Sequence, residues 1–356
     1  MDKLQRGVYI LLFLVLLFGG LHLASDFLIP LALAAVFSML FIRLSNYFES
    51  KKINRAVSSL ICMGIFIGAV LLIIGLLYWQ MGSLTENIDE MKSRLTSMIQ
   101  DFRSWINQKV GIDNNQQKEI IKQGNGQAGA MIAGFAANVF SIGVNTILVL
   151  VYMYLCLLYR SHIKKFILKL TPDQDENKAS VIVHESGSIA QKYLSGLGAM
   201  IGVLWVMYGI GFSVVGVESA LFFAVLCGIL EIIPFIGNLT GTSVTVLAVV
   251  AQGGDSKMII GVLAVYVVVQ LVQTYVLEPL IVGEQVNINP LFTIMAIVFG
   301  EFIWGVAGMI LAIPILGIVK IICDRVPALQ PYGFIIGPAK TPVRKRNIFT
   351  KRRQSD

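Results

Sequence analysis

The sequence predicts an all-α integral membrane fold, a multi-pass helical chain with two re-entrant or broken helical hairpins in an inverted-topology arrangement. Three observations predict it. The 356-residue chain is 56% hydrophobic and only 14% charged, with a mean hydropathy of +0.76, whereas soluble domains carry about 25% charged residues. Apolar runs recur along the chain at the ~20-residue length that a crossing needs. Two of the later runs are interrupted in mid-course by acidic, polar and glycine residues. Broken backbone at membrane depth is tolerated only where it is buried in protein or lines a wet cavity.

The elements follow in order. Lys3 and Arg6 precede the apolar run Gly7 to Leu23. That run is long for a signal sequence and lacks a small-x-small cleavage site, so it reads as a first membrane helix with its N-terminus inside. Ser25 and Asp26 turn the chain, and Phe27 to Leu44 returns, with Pro30 in its first turn. The basic loop Arg43, Lys51, Lys52 and Arg55 reads as cytoplasmic. Ala56 to Met81 goes out again. Residues 1–81 thus form an N-terminal group of transmembrane helices.

Residues 82–127 change character. Met91, Leu95, Met98, Phe102, Trp105 and Ile106 recur at three- and four-residue spacing among charges, which predicts an extramembrane amphipathic helix. A surface-lying helix, a subunit contact and a plain spacer all fit it. Residues 128–194 hold a returning transmembrane helix, Ala128 to Tyr159, and a cytoplasmic polar helix, Gln174 to Tyr193, after a turn at Leu170 to Asp173.

Residues 195–323 form the predicted transport core. Ser195 to Val217 goes out. The stretch Gly228 to Thr245 then sits between two short apolar runs and carries Glu231, Pro234, Gly237, Asn238, Thr240, Gly241, Thr242 and Ser243. Proline lacks an N–H and clashes with the preceding turn, so the helix breaks at Pro234. Such a polar-tipped break points to a transporter's binding site; a kinked helix with a structural glutamate fits the same residues. Met258 to Val282 crosses back, with Gln270, Gln273, Thr274 and Glu278 near one face and a kink or end expected at Glu278-Pro279. Asn287 to Cys323 is too long for one crossing and splits at Gly300 to Gly305, around Glu301. The basic tail, residues 324–356, is cytoplasmic. With both termini inside, the economical topology is one crossing plus a hairpin, twice, in opposite senses. The second hairpin then enters from the cytoplasm. That is an inverted repeat, with the site at the repeat interface.

Other classes are excluded or unsupported. The net charge of +7 reports cytoplasmic loops and anionic lipid rather than nucleic acid. Cys62, Cys156, Cys227 and Cys323 lie in apolar runs without Cys-x-x-Cys spacing, and His22, His162 and His184 are scattered. No cofactor or metal motif and no nucleotide-binding motif is present, so the expected driving force is an ion or solute gradient.

The segments EIIPFIGNLTG (Glu231 to Gly241) and QLVQTYVLEPLIVGEQVNINPLFTIMAIVFGEFIWGVAGMILAIPILGIVKII (Gln270 to Ile322) resemble the autoinducer-2 exporter family of bacterial membrane proteins. The specific part is Glu278-Pro279 through Gly283, Pro290, Gly300-Glu301, Trp304-Gly305, Gly308 and Pro314. The resemblance implies an inner-membrane transporter that forms homo-oligomers, with pentamers expected. It implies export of autoinducer-2 or another small polar solute for some members and sodium(lithium)/proton antiport for others. Where the family often carries prolines after the tip glycine, this chain has Asn238 and Ser243.

The candidate substrate- or ion-binding residues are Glu231, Asn238, Thr240, Thr242, Gln270, Gln273, Glu278 and Glu301. A charge at bilayer depth costs ~2.5–3.5 kcal/mol on insertion scales, so it usually faces a cavity. Glu301 also fits a helix N-terminal cap. The amides and hydroxyls suit a polyhydroxylated solute or a sodium ion at the hairpin tip; equally, they suit the backbone freed by Pro234 or bridges between helices. Pro234, Gly237, Gly241, Pro279, Gly300 and Gly305 are the candidate conformational residues. The expected mechanism has the two hairpins and their partner helices moving against the N-terminal helices, with substrate held between the hairpin tips. A channel and a non-transporting scaffold are the remoter readings.

Overall fold

The structure is a computed structural model that describes residues 3–85, 143–170, 176–234, 236–283 and 287–338. Among these residues every element is helical. In chain order they are α1 (Lys3–Leu23), α2 (Ser25–Ser50), α3 (Arg55–Thr85), α4 (Gly143–Leu158), α5 (Arg160–Lys169), α6 (Glu176–Val215), α7 (Ala220–Leu230), α8 (Ile236–Ala251) and α9 (Ser256–Val272). A π-helical segment (Gln273–Gly283), α10 (Pro290–Arg325), a 3-10 turn (Pro327–Leu329) and α11 (Gln330–Ile336) complete them. Among the described residues six helices are long and apolar enough to cross a membrane. The predicted amphipathic segment lies outside the described residues apart from 82–85. So do 128–142 of the returning helix, most of the Leu170 to Asp173 turn, and the tail beyond 338.

The first four helices follow their local chemistry. The chain turns at Ala24 between α1 and α2, one residue before the expected turn, and Ser25 and Asp26 open α2 instead. Lys52, at φ +66°, turns α2 into α3. α2, α3 and α4 share a core of Ala34, Cys62, Met153 and Leu157, with the Phe37 and Phe66 rings 5.0 Å apart. At Tyr159 the chain bends by 69° into α5. Arg160 clamps that corner: its guanidinium donates to Glu49 Oε1 (2.7 Å), Asn46 Oδ1 (2.7 Å) and Ser45 Oγ (3.0 Å) at the end of α2.

α6 departs from expectation. The predicted polar helix and the predicted crossing are one continuous helix of 40 residues, about 60 Å long at 1.5 Å per residue. No proline lies inside it, and Tyr193, Leu194, Gly196 and Met200 are buried across the expected junction. Burial there outweighs the modest helix cost of glycine.

α7 and α8 form the first hairpin and pack with α9 on the C-terminal half of α6. Leu204, Tyr208, Phe212, Phe223, Ala224, Cys227, Val249 and Val262 make that core. Asp255 caps α9 through Met258 N (2.9 Å). Asn289 caps α10 through Leu291 N (3.0 Å), with Pro290 in the first turn, where its missing N–H is not needed.

α10 is the second hairpin. Its backbone leaves the helical region at Trp304 and Gly305, the latter at φ +58°, a left-handed conformation that glycine adopts without a Cβ penalty. The limbs on either side meet backbone to backbone: a Cβ added at Gly308 would lie 3.1 Å from Gly300 Cα. Gly300 is therefore a packing residue within the rising limb, and the reversal falls four residues later than its position.

The rising limb runs parallel to α1. The Phe18 and Phe299 rings are 5.4 Å apart. Four residues on, His22 Nδ1 lies 3.1 Å from Ile303 O, and Trp304 Nε1 donates to Leu21 O at 2.9 Å. The second hairpin thus reaches the far end of α1, a helix long enough to span the apolar layer.

Candidate functional site

The candidate site is where the first hairpin faces α9 and the π-helical segment. The hairpin reverses over residues 231–234, around Pro234. Its limbs are held close by glycine. Gly237 N donates to Ile233 O (3.0 Å), and a Cβ at Gly237 would collide with the Leu230 carbonyl. A Cβ at Gly241 would sit 3.1 Å from Cys227 Cα. These two positions, expected as conformational, are close-approach positions.

The π-helical segment presents the other side. At Pro279, where a kink or an end is expected, the helix does not end; it continues to Gly283 as a π-helical segment with a widened turn. In a π-helix the bond partner is five residues back, which relieves the clash that proline makes in a normal turn. Such segments concentrate at functional sites.

Two hydrogen-bonded lines join the hairpin to this helix. In the first, Gln273 Nε2 donates to Glu231 Oε1 at 2.6 Å. Both side chains are buried, Glu231 at 9% and Gln273 at 2% exposed. Glu231 Oε2 and Gln273 Oε1 have no hydrogen-bond partner among the described residues, nor does the buried Thr242 hydroxyl on α8. In the second line, the Tyr208 hydroxyl donates to Asn238 Oδ1 (3.0 Å). Asn238 Nδ2 donates to Gln270 Oε1, and Gln270 Nε2 donates to Thr274 Oγ1 (3.2 Å). Asn238 is buried, Gln270 half-buried and Thr274 exposed.

The structure therefore brings together Glu231, Asn238, Gln270 and Gln273; Thr242 is buried one turn after Asn238 on α8. Glu278 stands beside Gln273, on the next turn of the π-helical segment, but its side chain is exposed. Thr240 is exposed on the outward side of α8. Glu301 is exposed in the last turn of the rising limb of α10. Because the reversal comes after it, Glu301 ends a limb and caps no helix N-terminus. The hairpins also do not meet tip to tip. Ile233, in the first reversal, packs with Ile297, Met309 and Ala312, about two turns below the second reversal at Trp304.

Tyr208 is the site residue that the sequence reading missed. It sits on α6 between Trp205, whose indole donates to Val225 O at 3.1 Å, and Phe212, 5.3 Å away ring to ring. The signal was there as an aromatic row at three- and four-residue spacing, the spacing that puts side chains on one helix face.

The profile of the family described as "AI-2E family transporter" matches residues 11–328. "Putative transport protein YhhT" of Escherichia coli (strain K12) is 22% identical over 342 residues, covering 94% of this chain and 96% of that protein. YrrI of Bacillus subtilis (strain 168), which bears the same kind of name, is 22% identical over 88% of this chain and 91% of its own length. "AI-2 transport protein TqsA" of Escherichia coli (strain K12) is 21% identical over 327 residues, 91% of this chain and 93% of that protein. With its all-helical, multi-pass fold and a match over nearly its whole length, the chain belongs to the AI-2E family of transporters.

Proposed function

We propose that this transporter exports a small, uncharged polar solute of the autoinducer-2 type, by alternating access and without ATP hydrolysis. The observation that carries the reading is the two-line network between the first hairpin and the π-helical segment. It sets amides, hydroxyls and one carboxylate at membrane depth, the groups that recognise a polyol. Between Lys192 and Lys320 the sequence holds one base, Lys257, at the polar start of α9. No cationic partner for an anionic solute is built into the core. The name of TqsA supports the solute class. In this reading the protein sits in the inner membrane with both termini cytoplasmic and works as a homo-oligomer, a pentamer by family resemblance. Its two hairpins move against α2, α3 and α4.

A second reading, sodium(lithium)/proton antiport, is favoured by Glu231 itself. This buried carboxyl is paired with an amide rather than with a base, and unpartnered oxygens remain on Glu231, Gln273 and Thr242. Oxygen sets of this kind suit a hard monovalent cation or a proton.

Purified protein in liposomes tests both. Saturable efflux of labelled autoinducer-2 supports export. Movement of an interior pH dye after a sodium or lithium pulse, without solute efflux, supports antiport. Flux that never saturates contradicts both and describes a channel.

A further inference from the structure

We infer that Tyr208 is a positioning residue that sets which way the hydrogen-bonded line across the site runs, and so whether Thr274 offers the solute a donor or an acceptor. The inference rests on the solute reading above.

The line has two amides, Asn238 and Gln270, between two hydroxyls, Tyr208 and Thr274. Hydroxyls donate or accept, and an amide reverses by flipping its O and N. Taken alone, the line is satisfied equally well in either direction. Burial decides it. The Tyr208 side chain is 0% exposed, packed on Phe212 within the α6 core. Its O–H meets the Asn238 carbonyl oxygen. In the reversed line that oxygen would turn toward Gln270, and the buried Tyr208 hydrogen would lose the acceptor it has there. An unmet buried donor costs more than a bond satisfied in either sense. The tyrosine therefore donates. Asn238 then gives its N–H to Gln270, and Gln270 gives its N–H to Thr274. The Thr274 oxygen accepts from inside, which leaves its own O–H free to be donated, at an exposed position. The site is thereby polarised from a residue on α6 that lies three partners away from the solute.

Proteoliposome efflux of labelled autoinducer-2 from the full chain tests this. Tyr208→Phe keeps the ring and its packing but removes the donor. The expected result is a half-saturation concentration raised about fivefold or more, with the maximal rate within about twofold, as for one lost hydrogen bond in recognition. In an Asn238→Ala background, Tyr208→Phe should add nothing, because the line is already cut. Thr274→Ser should retain the wild-type affinity, and Thr274→Ala should reproduce the Tyr208→Phe defect. That pair still decides the matter if the tyrosine variant does not fold. If Asn238→Ala weakens affinity while Tyr208→Phe and Thr274→Ala do not, the inference is overturned and the site reading stands. If Asn238→Ala leaves affinity unchanged, or the wild type does not move the probe, the site reading fails and the inference falls with it.

Discussion

Gln273 donates its amide to the Glu231 carboxylate at 2.6 Å, across 42 residues of chain and between two buried side chains. This bond joins the turn of the first hairpin to the start of the π-helical segment. It gives a buried acid a neutral partner, and a hydrogen bond to a charged group contributes about 1.5–3 kcal/mol. Glu231 thereby stays at membrane depth without a base beside it.

Gln273→Leu removes that partner and should lower the detergent-solubilised melting temperature by several degrees, since an orphaned buried carboxyl costs on the order of 1–3 kcal/mol. The exchange Glu231→Gln with Gln273→Glu rebuilds the pair in mirror order. It should recover at least half of the lost stability; no recovery would show that the bond contributes nothing.

Gly300 and Gly308 touch backbone to backbone, so side chains there must push the limbs of the second hairpin apart. Gly308→Val should cost about 3 kcal/mol or more. Gly64→Ala, where an added Cβ meets nothing within 4 Å, should be neutral or mildly stabilising, alanine being the better helix former. Thermal unfolding of the two variants side by side checks the contrast.

Arg160, with 14% of its side chain exposed, holds the corner between α4 and α5 to the end of α2 through Glu49. Arg160→Met keeps much of the apolar stem and removes every donor. The expected loss is about 1–3 kcal/mol, reduced by high salt far less than for an open surface pair. A variant as stable as the wild type would mean that the corner is held by packing alone.

α1 packs along the rising limb of the second hairpin, at Phe18 with Phe299, His22 with Ile303 and Leu21 with Trp304. The α2–α3–α4 core contains no α1 residue. α1 is therefore expected to travel with the hairpin rather than with the frame to which the sequence assigns it. In a chain whose four native cysteines are replaced, a Phe18→Cys, Phe299→Cys pair should cross-link and keep transporting when oxidised. Transport that stops on oxidation and returns on reduction would place α1 in the fixed part instead.

Much of this architecture was legible. Proline at 234 and the acid, amide and hydroxyls around it marked the first hairpin, because such residues break or burden a membrane helix whatever its neighbours. Glycine and charge at 300–305 marked the second. What stayed hidden depends on contacts distant in sequence. The Glu231–Gln273 bond spans 42 residues, and the attachment of α1 to the second hairpin spans 281 at His22 and Ile303. Pro279 alone suggested a kink or an end and gave no sign of a widened turn running over 273–283. Tyr208 looked like one more apolar side chain of a crossing; only its placement opposite Asn238 gives its hydroxyl a role. Glu278 and Glu301 drew the eye as acids in an apolar sequence; both side chains are exposed, Glu278 beside Gln273 and Glu301 near the second reversal.

Of the acids at the two hairpins, the buried Glu231 is proposed as the one on which transport depends. The most direct test is flux through Glu231→Gln and Glu301→Gln in matched proteoliposomes, with labelled autoinducer-2 and with the sodium-pulsed pH dye. The account predicts that Glu231→Gln lowers the wild-type flux about tenfold or more, the loss of one charged hydrogen bond or one proton site, while Glu301→Gln stays within about twofold. Normal flux through Glu231→Gln, with flux lost in Glu301→Gln, would contradict it and move the site to the second hairpin.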